Sequence, residues 1–149
     1  MNTGSGPGIG AVNPSEAWEL LTNDTGAMLV DVRTQAEWAF VGVPDLSALG
    51  RSLICVEWAR YPGMSANQAF CEQVIEALGG DVPDTLLFMC RSGVRSLHAA
   101  EAIVAHLSAA GKQVTCLNVA EGFEGDLDPQ HHRGASNGWK SRGLAWCQS

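Results

Sequence analysis

Short apolar runs alternate with amphipathic stretches along most of the chain. Residues 27–32 and 85–89 are apolar runs that predict buried strands, and residues 52–56 and 113–119 repeat the pattern. Strands that alternate with helical segments are typical of a parallel sheet with helices on both faces. We therefore predict a three-layer α/β/α domain around a central parallel sheet of about five strands.

Four helices are predicted between these strands, and two of them begin with capping-box patterns, at Asn13 with Glu16 and at Thr34 with Glu37. A third is expected to begin near Ser65 and to end at the glycine pair 79–80. The longest should span residues 94–110 and bury a stripe of apolar side chains, namely Leu97, Ala100, Val104 and Leu107.

The length of 149 residues and a hydrophobic content of 46% suit one globular domain with its own core. The Gly- and Ser-rich residues 1–9 predict a mobile lead-in, and residues 10–149 predict a single domain. From Glu121 onward the chain is polar and Gly-rich but carries Trp139 and Trp146. This pattern favours an ordered tail that wraps the domain.

Charge and cysteine content narrow the function. The net charge of −7 disfavours nucleic acid and anionic membranes as partners, because both select basic surfaces. No apolar run approaches the roughly 20 residues that a transmembrane helix needs. The five cysteines are odd in number and form no Cys-x-x-Cys pair, which favours free thiols in a reducing, cytoplasmic compartment.

The segment around Cys90 combines the features that activate a thiol. Cys90 ends the most apolar predicted strand, Arg91 and Gly93 follow it in a short loop, and Arg95 lies at the start of the longest helix. Loop N–H groups, the helix N-terminus and the two arginines would stabilise a thiolate there. A buried structural cysteine is the alternative, but these flanking residues favour a nucleophile.

Several neighbours are candidates for the same site. We predict that Arg91 binds substrate, and that Ser92 and Ser96 donate hydrogen bonds to a bound sulfur or sulfonate. Ser96 would equally well bond back along its own helix. Asp31 and Arg33 follow another strand and would lie near the loop, although pairing of Arg33 with Glu37 is the favoured interpretation.

The remaining cysteines and histidines carry no expected chemistry. Cys55, Cys71 and Cys116 lie in apolar runs and are predicted core residues, and Cys147 has no activating neighbour in the sequence. His131 and His132 are adjacent, which is not a metal-ligand spacing, so a solvated loop is expected and no metal is predicted. The remaining histidines, His98 and His106, are predicted surface residues.

These motifs together resemble the rhodanese family of single-domain thiosulfate sulfurtransferases. The resemblance rests on the loop of residues 90–96, on Asp31-Val32-Arg33 followed by Glu37-Trp38, and on residues 121–122 and 139–144. The chain departs from the family at residues 42–44, where Gly-Val-Pro replaces a Gly-His-Ile-Pro motif. It also carries an insertion of about a dozen residues, 124–138.

The resemblance implies a rhodanese-like domain in which Cys90 carries sulfur as a persulfide. The loop would be formed by residues 90–95, and the binding residues would include Gly93, Val94 and Ser96. A small anionic donor such as thiosulfate would supply the sulfur. Cyanide, a thiol or a sulfur-accepting protein would take it, without a cofactor. Related phosphatases and arsenate reductases have a loop one residue longer, which favours sulfur transfer for this chain. A phosphatase or arsenate reductase stays as an alternative, as does a non-catalytic binding or sulfur-carrier module.

Overall fold

The computed structural model describes residues 8–149, which form a three-layer α/β/α domain. Within this range the nine strands are β1 (Gly8–Val12), β2 (Met28–Asp31), β3 (Val43–Pro44), β4 (Ile54–Cys55), β5 (Ala59–Arg60), β6 (Ser65–Ala66), β7 (Thr85–Met89), β8 (Thr115–Val119) and β9 (Trp146–Cys147). The four helices are α1 (Pro14–Asn23), α2 (Gln35–Phe40), α3 (Phe70–Ala77) and α4 (Val94–Ala109). A short 3₁₀ helix occupies Ser47–Leu49.

The central sheet has five strands in the order β1-β8-β7-β2-β4, and every neighbouring pair is parallel. The predicted fold class, an α/β/α domain with about five parallel strands, is therefore confirmed. All five strands end at the same edge of the sheet, so the residues that follow β2 and β7 meet there. The two other sheets are antiparallel pairs, β3 with β9 and β5 with β6.

The core lies on both faces of this sheet because successive strand residues point to opposite sides. In β7, Leu86 and Phe88 pack with α3 and α4, whereas Leu87 and Met89 pack with α1 and the C-terminal segment. The tail belongs to the second core: Trp139 is fully buried, as the sequence predicts for an ordered tail. Trp146, in contrast, is partly exposed on β9.

Two predicted boundaries need correction. The edge strand β1 begins at Gly8, so residues 8 and 9 belong to the domain and not to a lead-in; residues 1–7 lie outside the described part of the chain. Helix α3 begins at Phe70, not Ser65. Residues 65–66 instead pair with β5, and the Asn67 carbonyl accepts a hydrogen bond from the Phe70 N–H at 3.1 Å.

The buried face of α4 also differs from the prediction. Leu97 is 37% exposed, and the buried residues are Ser96, Ala99, Ala100, Ile103 and Leu107. The predicted stripe is confirmed at Ala100 and Leu107, Val104 is half-buried against the core, and Leu97 is wrong, because the buried polar residue Ser96 occupies the face that points into the domain. The orientation of the buried face of α4 brings Ser96 toward the end of β7. Within residues 8–149, no helix has the length and apolar content to cross a membrane.

Candidate active site

Cys90 follows the last residue of β7 and lies at the carboxyl edge of the sheet, with only 2% of its surface exposed. The strand before it is buried from Leu86 to Met89, so the Cα position of Cys90 is fixed by the sheet. Gly93 then turns the chain with a φ of +116° and is followed directly by α4. A Cβ at Gly93 would lie 2.4 Å from the Ala120 carbonyl oxygen, so only glycine fits this turn.

The Cys90 sulfur is surrounded by hydrogen-bonding groups. The Gly93 N–H donates to Sγ at 3.1 Å, and the Ser96 Oγ lies 3.3 Å from Sγ. Asn118, in β8, contacts both of these residues. Its Oδ1 is 2.6 Å from Ser96 Oγ, and its Nδ2 donates to the Gly93 carbonyl at 3.0 Å. Ser96, which sequence reasoning placed equally well on sulfur or on its own helix, therefore faces the sulfur.

The Ser96 hydroxyl has one proton to share between two neighbours. Because Nδ2 of Asn118 donates to Gly93, its Oδ1 faces Ser96 and can only accept. When Cys90 is a thiol, its S–H can donate to Ser96 while the hydroxyl donates to Asn118. When Cys90 is ionised, the same hydroxyl can turn toward the sulfur. One arrangement suits the thiol of Cys90 and the other suits its thiolate.

The first turn of α4 supplies further donors. Within residues 8–149, no protein acceptor receives a hydrogen bond from the N–H groups of Val94, Arg95 and Ser96. Such groups at a helix start, together with the helix dipole, form a site for an anion. The loop thus places the Cys90 sulfur at the start of a helix whose first N–H groups have no protein acceptor within residues 8–149.

The segment after β8 holds the loop from the other side. The Phe123 N–H donates to the Cys90 carbonyl at 2.9 Å, and the N–H groups of Glu124 and Gly125 donate to the Arg91 carbonyl at 3.0 and 3.1 Å. Gly122 permits this approach, since a Cβ there would lie 2.5 Å from the Arg91 oxygen. The carbonyl oxygens of Cys90 and Arg91 therefore accept hydrogen bonds from this segment and point away from the sulfur.

The sequence analysis expected the Arg95 guanidinium to stabilise a Cys90 thiolate, but in the structure this group is bonded to a carboxylate. It donates to both carboxylate oxygens of Glu37, at 2.7 and 2.9 Å. Burial raises the pKa of Glu37, but the hydrogen bonds from Arg95 and Thr34 and the charge of Arg95 outweigh it and hold the pKa at about 2. Arg95 thus ties the start of α4 to the start of α2.

The expected pairing of Arg33 with Glu37 is wrong, because Glu37 is taken by Arg95. Arg33 is fully buried and pairs with Asp31 through Nη2–Oδ2 at 2.7 Å and Nε–Oδ1 at 2.9 Å. Its Nη2 also donates to the Gly42 carbonyl, and its guanidinium lies 4.3 Å from the centre of the Phe123 ring. Asp31 and Arg33 therefore support the site by joining β2 to residues 42 and 123.

The other predicted binding residues lie around the loop surface. Arg91 is exposed, Ser92 is half-buried, and Val94 is 65% exposed. No hydrogen bond from the Ser92 hydroxyl to a protein group is found within residues 8–149, so it is available to a ligand. Gly93 and Ser96 are the members of the set that touch the sulfur.

A cavity of about 720 Å³ opens above the loop. Arg91 and Arg95 line it together with Tyr61 and Met64 of the segment between β5 and β6. The insertion contributes the opposite wall through Glu124, Leu127, His131 and Arg133. His131, expected in a solvated loop, is exposed but faces this cavity.

Sequence reasoning missed two contributions to the site. Asn118 is a polar residue near the end of an apolar strand, and the parallel register places it beside Phe88, two residues before Cys90. Arg133 is a basic residue within an acidic chain, in the very segment that departs from the family pattern. Both residues are visible in the sequence, but only the topology brings Asn118 to Ser96 beside Cys90 and Arg133 to the cavity.

Three of the other four thiols have a pKa above the ordinary value, which makes them poorly suited to act as nucleophiles. Burial raises the pKa of Cys116 to about 12 and raises that of Cys71. Cys55 reaches the surface, contrary to its predicted core position, yet the surrounding protein and the negative charge of Asp31 raise its pKa to about 12. Cys71 is only half-buried, and Cys147 is exposed.

The chain matches no protein-family model. The uncharacterized protein RP600 of Rickettsia prowazekii is 30% identical over 132 residues, which cover 89% of this chain and 92% of that protein. Its homolog in Rickettsia rickettsii is 31% identical over the same coverage.

Two solved structures are similar. A crystal structure of Rv0390 from M. tuberculosis has 46% sequence identity and a TM-score of 0.79, and the match covers 94% of this chain and 98% of that one. A rhodanese-like domain protein from Staphylococcus aureus has 19% identity and a TM-score of 0.47 over 91% of this chain and 95% of its own. By its similarity to RP600 and its homolog, the chain belongs to the protein family of RP600.

Proposed function

We propose that this protein is a rhodanese-type sulfurtransferase that carries sulfur as a persulfide on Cys90. The observation that supports this most strongly is the buried Sγ at the start of α4: the Gly93 N–H donates to it at 3.1 Å, and within residues 8–149 the next three N–H groups have no protein acceptor. A persulfide is an anion one sulfur atom longer than a thiolate. Helix-terminal N–H groups stabilise an anion of this kind without a metal or a second charged side chain.

The proposed reaction has two covalent steps. The Cys90 thiolate attacks the outer sulfur of thiosulfate; the new S–S bond forms as the old one breaks, and sulfite leaves with the electron pair. An acceptor such as cyanide or a cellular thiolate then attacks the outer sulfur of the Cys90 persulfide. This step regenerates the thiolate and releases thiocyanate or a new persulfide, so the cycle is ping-pong.

The burial of Cys90 fits this chemistry. With 2% of the residue exposed, the sulfur accepts a narrow incoming group better than a tetrahedral oxyanion. The outer sulfur of thiosulfate is such a group, and its sulfonate end would remain outside, near exposed Arg91. The N–H groups of the α4 first turn would then hold the transferred sulfur.

A cysteine phosphatase or arsenate reductase is the weaker alternative. Such an enzyme needs the loop arginine to hold the oxyanion, but here both terminal nitrogens of Arg95 are bonded to Glu37. The spacing of four residues between Cys90 and Arg95 also gives a shorter loop than those enzymes have. A non-catalytic module would not require a sulfur surrounded by Gly93, Ser96 and Asn118.

Parallel assays distinguish these functions. We expect thiocyanate to form from thiosulfate and cyanide, and no phosphate to be released from an aryl phosphate. Cys90→Ser should abolish thiocyanate formation, and Cys147→Ser, a change at an exposed cysteine, should leave it intact. Phosphate release without thiocyanate would replace the proposal by the phosphatase alternative, and the absence of both activities would favour the binding module.

A further inference from the structure

The cavity above the loop is larger than thiosulfate requires. At about 720 Å³ it falls in the range of sites that bind drug-sized molecules, roughly 300–1,000 Å³. The donor proposed above would occupy only its inner end, beside Arg91. The insertion and the segment between β5 and β6 line the remaining space, which is open to solvent.

Two guanidinium groups in this cavity lack an acidic partner. Within residues 8–149, neither Arg91 nor Arg133 forms an ion pair, whereas Arg95 is neutralised by Glu37. Arg133 is half-buried, and its Nη1 donates a hydrogen bond to the Gly125 carbonyl at 2.6 Å, which fixes the position of the guanidinium. Glu124 also lines the cavity, so the formal balance there is one positive charge on a chain of net charge −7.

The same cavity has an apolar surface. Tyr61 is 66% exposed, Met64 44% and Leu127 48%, and all three line it. Large apolar side chains that are exposed around a concave cationic site favour a ligand with an apolar body. Inorganic thiosulfate has no such body and would leave these side chains in water.

We infer that the cavity selects an organic sulfur donor: a small anion of the thiosulfonate class, with an apolar group attached to its sulfonyl end. This inference rests on the proposed function and deepens it. Arg91 and Arg133 bind the anionic end, and Leu127, Tyr61 and Met64 contact the apolar group. Leu127 and Arg133 are then specificity-determining residues contributed by the insertion.

The transfer step balances with this donor. The Cys90 thiolate attacks the terminal sulfur of R–SO₂–S⁻, the S–S bond to the sulfonyl sulfur breaks, and the sulfinate R–SO₂⁻ leaves with the electron pair. Cys90 is left as the persulfide anion. No oxidant, reductant or metal takes part, and the charge is the same before and after the step.

Kinetics with benzenethiosulfonate and methanethiosulfonate, each followed by cyanide, test the inference on the full chain. Because the two donors differ in intrinsic reactivity, the informative quantity is the ratio of their kcat/KM values in each variant. Leu127→Ala should lower the benzene-to-methane ratio by about fivefold, the effect of losing part of an apolar contact. Leu97→Ala, the same change at an exposed position of α4 outside the cavity, should leave the ratio unchanged.

Arg133→Ala should lower kcat/KM for both donors by about fivefold, as expected for a partly exposed charge contact. Lys112→Ala removes a surface cation far from the cavity and should have no effect. An unaltered benzene-to-methane ratio in Leu127→Ala would overturn the inference.

A binding measurement separates failure of this inference from failure of the proposed function. Cys90→Ser cannot load sulfur, so its affinity for benzenesulfonate and methanesulfonate reports on the cavity alone. We expect tighter binding of benzenesulfonate, weakened by Leu127→Ala and by Arg133→Ala. Tighter binding with no sulfur loading in the unmodified protein would overturn only the sulfurtransferase function; sulfur loading with equal binding of both sulfonates would overturn only the cavity inference.

Discussion

Arg95, in the first turn of α4, is held by Glu37, in the first turn of α2, through two hydrogen bonds of 2.7 and 2.9 Å. Glu37 also closes the capping box of α2 by accepting from the Thr34 N–H at 3.0 Å. One carboxylate therefore orients two helices that meet at the carboxyl edge of the sheet. The helix α4, whose N-cap residue Gly93 donates to the Cys90 sulfur, is held in place by this ion pair.

This ion pair predicts a specific acid sensitivity. The pKa of Glu37 is about 2, below its ordinary value of 4.5, because the bonds from Arg95 and Thr34 outweigh burial. Its stabilisation is thus complete above about pH 4.5 and is lost as the pH falls toward 2, an effect of up to roughly 3 kcal/mol.

Urea unfolding at pH 5.5 and pH 2.5 measures this loss. Glu37→Gln should be less stable than the unmodified protein at pH 5.5, and the gap should narrow at pH 2.5. Glu19→Gln, a change at an exposed glutamate of α1, should show no such convergence. A constant gap for Glu37→Gln would contradict the assigned role of the pair.

Ser96 is expected to assist the nucleophile. Ser96→Ala removes the hydroxyl 3.3 Å from Sγ and leaves Asn118 Oδ1 without a donor. We expect kcat for thiocyanate formation to fall roughly tenfold, the value of one hydrogen bond to a charged group. Ser108→Ala, an exposed serine on the same helix, serves as the control. Full activity in Ser96→Ala would show that the contact is only structural.

Gly122 is expected to be required for the loop. Gly122→Ala and Gly50→Ala both place alanine at a φ near +70°, which costs about 1–2 kcal/mol. Only at Gly122 would the new Cβ also meet backbone, 2.5 Å from the Arg91 oxygen and 2.6 Å from the Cys90 oxygen, whereas Gly50 has open space. Gly122→Ala should therefore be less stable in urea unfolding and slower in sulfur transfer than Gly50→Ala. Equal stability and equal sulfur-transfer rates in the two variants would show that the close approach of Gly122 to the loop carbonyls is not required.

Much of this arrangement could be predicted from local sequence. The apolar run before Cys90, the turn at Gly93 and the two capping boxes are local signals, and each appears in the structure where the sequence placed it. The parallel sheet followed from the alternation of strands and helices.

The partners of charged and polar side chains could not be predicted in this way. Arg33 was assigned to Glu37 because helical spacing was the only available geometry, yet the fold offers Asp31 to Arg33 and Arg95 to Glu37. The rotation of α4 about its axis buries Ser96 beside Cys90 and leaves Leu97 exposed, although Leu97 is the more hydrophobic residue. Contacts of Asn118 and Arg133 with the site depend on strand order and on the path of the insertion, which no local pattern contains.

Arg91 is expected to bind donor without taking part in the bond changes. It is exposed and forms no ion pair within residues 8–149, so a donor's anionic end can reach it. Arg91→Ala should raise the thiosulfate KM several-fold with little change in kcat, because a contact worth about 1 kcal/mol is lost equally from ground and transition states. Arg60→Ala, an exposed arginine outside the cavity, is the control. A fall in kcat at constant KM would place Arg91 in the chemical step instead.

The most direct test of the account is the intact mass of the protein after incubation with thiosulfate and removal of the excess. We predict a gain of about 32 Da, one sulfur atom held as a covalent intermediate, reversed by cyanide with release of thiocyanate. The gain should be absent in Cys90→Ser and present in Cys55→Ser. A gain that persists in Cys90→Ser, or no gain in the unmodified protein, would contradict the assignment of Cys90 as the sulfur carrier.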